Sequence, residues 1–80
     1  MHEIQNGKKP SEVFRRLVEA KPDLDTWDLA QEFISAFPDV DSIVTTYIWR
    51  WKGPGATRGV DDERLDEVLL EQLSKAGYLK

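Results

Sequence analysis

The chain of 80 residues has no cysteine, and its single histidine is His2, close to the N-terminus. Disulfide staples and thiolate metal sites are therefore excluded, and a histidine-based zinc site has no second imidazole to draw on. Nucleophilic catalysis lacks a thiol, and the serines and threonines lack a histidine placed to act as base. No enzymatic activity, cofactor, metal or small-molecule ligand is expected. No apolar run approaches the roughly 20 residues needed to span a bilayer, so no membrane role is expected. Residues 1–9, with His2, Glu3, Gln5, Asn6, Lys8 and Lys9, lack the apolar centre of a signal peptide. A cytoplasmic location is the expectation that remains. A basic excess is missing too: 11 Lys and Arg stand against 15 Asp and Glu, a formal net charge of −4. That balance disfavours a general nucleic-acid or anionic-membrane surface.

What the chain does have is material for one core. Domains of this length seldom have stability to spare without disulfides or a metal. Three Trp, three Phe and two Tyr, with Leu, Ile and Val, supply large buried areas per residue. The pattern reads as an all-α fold: a flexible tail over 1–9, then one domain over 10–80 with four amphipathic helices, orthogonal or bundle-like. The helices are expected over 11–20, 26–37, 42–51 and 62–76.

The first has Ser11 as a natural N-cap, a Val13/Phe14/Leu17/Val18 stripe, and Pro22 as its stop. The second is capped by Asp25, with Trp27, Ala30, Phe33, Ile34 and Phe37 on its inner face and Pro38 after it. The fourth is capped by Asp61 or Asp62 and buries Leu65, Val68, Leu69, Leu73 and Ala76. Gly77 then fits a left-handed ending, with Tyr78 folding back onto Leu73.

Segment 42–51 is ambiguous. Its β-branched and aromatic residues favour a strand, yet Ile43, Val44, Tyr47, Ile48 and Trp51 recur at helical spacing. Asp41 stands ready to cap it and Gly53 to end it. With no partner strand elsewhere, periodicity outweighs propensity and the segment is read as helix.

This third helix also carries a feature that its apolar stripe does not absorb; a central helix covered on both sides would account for it too, and for the lack of charge before Arg50. Trp49 points away from the apolar stripe, beside Thr45 and Thr46, with Arg50, Lys52 and Arg58 following on and after a glycine-rich loop. Trp and Arg are the residue types most enriched at interface hot spots. The expected function is a non-enzymatic protein-interaction module, binding another protein or a second copy through Thr45, Thr46, Trp49, Arg50, Lys52 and Arg58. The alternative is a helix-turn-helix-like DNA-binding or transcription-accessory protein, with the second helix as support and the third as reader. The stretch 69–79 resembles the helix that leads into the wing of winged-helix regulators, which implies the same alternative. Against it stand Asp25, Asp28, Glu32, Asp39 and Asp41, which surround the reader and repel phosphate. The glycines at 53, 55 and 59 do not have dinucleotide-fingerprint spacing. The carboxylates at 39, 41, 61, 62, 63 and 66 read as caps and solvated faces.

Overall fold

The structure, a computed structural model, describes residues 2–53 and 58–79. Its helices are α1 (His2–Gln5), α2 (Pro10–Ala20), α3 (Thr26–Ala36), α4 (Ile43–Trp49) and α5 (Asp62–Lys75). Helix α3 packs on α4, α2 and α4 both pack on α5, and α1 packs on α2. The protein is an all-α single domain, with the four longer helices where periodicity places them.

Local chemistry accounts for most helix ends. Asp25 and Asp28 form a capping box at the start of α3, each side chain accepting the other's backbone N–H at 2.9 and 3.3 Å. Asp41 accepts the Ile43 N–H at 3.0 Å, and Asp61 accepts the Arg64 N–H at 2.8 Å. Helix α5 ends with Gly77 at φ +88 and with the Tyr78 N–H donated to the Leu73 carbonyl at 2.9 Å. Together with the Gly77-to-Ser74 bond this is a Schellman ending. The Tyr78 ring packs on Phe37, with centroids 4.9 Å apart. Residues 69–79, which resemble a winged-helix element, are thus the second half of α5 and its closing turn.

The start of α2 departs from expectation. Lys9 occupies the N-cap position and Pro10 the first turn. The Ser11 N–H and hydroxyl both donate to the Asp66 carboxylate, at 2.7 and 2.8 Å. The cap is supplied by another helix, 55 residues away. Asp66 is therefore no solvated surface carboxylate: it is buried, and so is Ser11. One turn along each helix, Arg15 makes a two-pronged contact with Asp62 at 2.9 and 3.0 Å. Ser11 and Arg15 on α2 face Asp66 and Asp62 on α5, so two rungs at i, i+4 spacing hold the helices antiparallel.

The N-terminal segment is a second correction. The expected loose tail contains α1, and Ile4 is only 1% exposed, within the core. A lone apolar residue in a polar stretch carries no periodicity, so its burial left no pattern to read. The core itself joins Phe14, Phe33, Val44, Ile48, Leu65, Leu69 and Leu73. Its aromatics touch edge to face, Phe14 with Phe33 at 6.2 Å and Phe14 with Trp51 at 5.6 Å.

Two residues expected inside lie outside. Trp27 is 54% exposed and Ile43 is 46% exposed. On α3 the buried set is Leu29, Ala30 and Phe33. Including Leu29 turns the inward direction so that Trp27 lies about 100° from its centre. On α4 only Val44 and Ile48 are buried, which leaves Ile43 and Trp49 about 120° to either side of the inward direction.

Asp66→Ala strands two buried donors and should lower unfolding stability by about 2–4 kcal/mol in urea titrations, with Ser11→Ala losing less. An unchanged midpoint for Asp66→Ala would remove the cross-helix cap from the account. Ile4→Ala should cost about 2 kcal/mol, whereas a loose tail would show no effect.

Candidate functional site

The site is built where α4 ends. The helix stops at Trp49, two residues short of the expected 51, because the chain must turn to pair with the segment returning toward α5. The Val60 N–H donates to the Arg50 carbonyl at 2.7 Å, and the Lys52 N–H to the Val60 carbonyl at 2.9 Å. Gly53 is left-handed, at φ +64, but it does not end the helix as expected: α4 stops at Trp49 with Arg50 as its right-handed C-cap. Gly59 has φ +122, and a Cβ there would be driven into the Arg50 carbonyl oxygen. Only glycine lets the returning chain approach this closely. Residues 54–57, the middle of the glycine-rich loop and including Gly55, lie outside the described residues.

This pairing sends the two neighbouring tryptophans in opposite directions. Trp51 goes inward and is 4% exposed. Its indole N–H donates to Asp62 at 2.9 Å, and the Arg15 guanidinium lies over its ring, 5.5 Å from the centroid. Trp49 goes outward and remains 43% exposed. It stacks on Trp27, with centroids 5.2 Å apart and ring planes 7° from parallel. The stack brings the first turn of α3 to the last turn of α4. Two large exposed indoles thus form one aromatic block.

Beside Trp49 lies a shallow groove of about 510 Å³, lined also by Arg50, Trp51, Arg58, Gly59 and Val60. Both arginines are exposed, and neither pairs with a carboxylate among the described residues. Arg15 and Arg64, by contrast, hold Asp62 and Glu67.

Of the residues singled out from the sequence, the fold gathers Trp49, Arg50 and Arg58 around this groove. It does not gather the rest. The Thr45 hydroxyl donates to the Ser42 carbonyl at 2.6 Å, a bond within its own turn. Thr46 is exposed but does not line the groove. Lys52 lines different depressions, one of them shared with Arg15, Asp61, Asp62 and Glu63. Trp27 is the residue that sequence reasoning missed. Counting Leu29 in the buried stripe would have found it.

A further depression, of about 650 Å³, lies where α1 meets the end of α5. Ile4, Leu70, Tyr78 and Leu79 form its apolar part, and exposed Lys8 and Lys9 also line it. The Tyr78 hydroxyl there donates to the Asp39 carboxylate and accepts the Asp39 N–H, both at 3.3 Å. Among the described residues no three His, Cys, Asp or Glu are grouped to hold a metal ion. Nor is any helix among them long and apolar enough to cross a membrane. Comparison with family models, curated proteins and solved structures found no match.

Trp27→Ala should abolish the exciton couplet that two stacked indoles produce in far-ultraviolet circular dichroism, at a stability cost of about 0.5–1.5 kcal/mol. Gly59→Ala should cost about 1–3 kcal/mol through backbone strain. It should also speed hydrogen exchange at the Lys52 and Val60 amides. Unchanged protection at those amides would mean that the close approach does not hold the loop.

Proposed function

We propose that this protein is a non-enzymatic protein-interaction module that docks a partner protein on the end of α4 and the chain that follows it. The observation that carries this reading is the stacked, half-exposed pair Trp27 and Trp49. Apolar area left in water forgoes about 25 cal/mol per Å², so two indoles held at the surface favour burial against something else. The block is also rigid. Trp27 sits in a capped first turn, Trp49 is pinned by its stack, and the adjoining chain is tied at Val60. A surface already ordered loses little entropy on binding. The carboxylates offer further support, because their chemistry is spent on structure. Asp25, Asp28, Asp41 and Asp61 cap helices, while Asp62 and Asp66 join them.

The DNA-binding alternative draws on the same arginines. One face of Trp49, which a reader helix would present to a groove, is covered by Trp27. Asp25 and Asp28 lie at the start of α3 beside that block and repel a phosphate backbone.

A photo-crosslinking amino acid at position 58 should yield a discrete protein adduct in cells expressing the chain, absent when the probe replaces exposed Glu71. The adduct should disappear with Trp49→Ser. Adducts that form equally from both positions, or that persist without Trp49, would sink the docking reading. Salt-sensitive binding of random duplex DNA at ~50 mM salt would instead favour the alternative.

A further inference from the structure

Resting on that docking reading, we propose that the groove beside Trp49 takes a short acidic segment of the partner protein, its carboxylates on Arg50 and Arg58 and an apolar side chain between them. The groove has two kinds of lining. Its accessible apolar residues are Trp49 and Val60, Trp51 being 4% exposed, and its charged residues are Arg50 and Arg58. In a chain with four more acids than bases, two arginines share one groove with no carboxylate of their own among the described residues. Arginine offers a planar fork of donors that matches a carboxylate in pairs of bonds. The groove therefore matches a ligand that carries both carboxylates and apolar surface.

Charge decides among occupants. A second copy docked symmetrically would set Arg50 and Arg58 against their own counterparts, because a two-fold contact joins a patch to itself. A nucleic acid would satisfy the arginines, but its charge continues along the strand and would run on past the stack toward Asp25 and Asp28. A short acidic segment ends within the groove. Arg58 is presented in advance, because Gly59 and the Val60 pairing place that chain against Arg50.

Two capped hexapeptides, Glu-Asp-Phe-Pro-Glu-Asp and Lys-Arg-Phe-Pro-Lys-Arg, separate these readings when titrated against the full chain, followed by the Trp49 indole N–H resonance. The acidic peptide should shift that resonance saturably and bind at least roughly ten-fold more tightly than the basic one. Added salt should weaken it. Arg50→Glu with Arg58→Glu should reverse the preference, with the Lys52 and Val60 amides still protected as evidence that the fold is intact. Equal binding of both peptides, preference for the basic one, or no shift at millimolar peptide would each overturn the acidic assignment. So would oligothymidylate binding more tightly than the acidic peptide through the same arginines. The docking reading is judged separately. If the Trp49-dependent crosslink from the probe at position 58, which itself replaces Arg58, persists when Arg50→Glu is added, docking stands while the acidic partner class falls.

Discussion

The arrangement of this small domain depends on the Asp66 carboxylate, placed against the first turn of α2. A carboxylate taken out of water costs several kcal/mol unless its oxygens are hydrogen-bonded. Here one oxygen receives a backbone N–H and the other a hydroxyl, both from Ser11. The bonds satisfy Asp66 and at the same time supply the N–H partner that the first turn of α2 lacks, since Pro10 has none to donate and Lys9 makes no side-chain cap. Neither group has a comparable alternative nearby, so the pair specifies how α2 and α5 meet. In a core of interchangeable Leu, Val and Phe contacts, few other interactions are so particular about register.

The second rung extends that register toward the surface. Asp62 receives Arg15 from α2 and the Trp51 indole from the chain leaving α4. As an ion pair, with both side chains 40% exposed, it contributes little to stability. Its importance is positional. It joins α2, α5 and the end of α4 at one point, with Arg15 lying over the same indole. Once Trp51 is held inward, and Arg50 and Lys52 are hydrogen-bonded to Val60, Trp49 is left outside. The arginine groove beside the exposed tryptophan is thus a consequence of how the interior is joined.

Trp27 shows how the surface is shared between elements. Its position follows from the capping box and from Leu29 taking a place in the core, features of α3 alone. That it meets Trp49 follows from how α3 packs on α4. The block exists because one helix begins where the other ends. Thr45 shows the opposite outcome: a hydroxyl on a promising face is satisfied within its own turn and withdrawn from outside contact.

Much of the fold was legible in the chain, and the legible parts share a cause. The caps at Asp25 and Asp61, the Gly77 ending and the helical reading of 42–51, which holds over 43–49, all involve groups within about five residues of one another, where spacing alone sets the geometry. Trp49 as an outward residue was legible for the same reason. The true cap of α2, the burial of Ile4 and the pairing of Trp27 with Trp49 were not. The Ser11–Asp66 bonds span 55 residues and the Arg15–Asp62 contact 47, and periodicity carries no information across such distances. The sequence by itself determined that the four longer segments are helical and how α3 and α5 are capped, because those are local balances of hydrogen bonding and chain stiffness. Only the tertiary structure decided which carboxylate is buried, that Ile4 joins the core and that Trp27 meets Trp49, because each outcome depends on a partner brought close by folding.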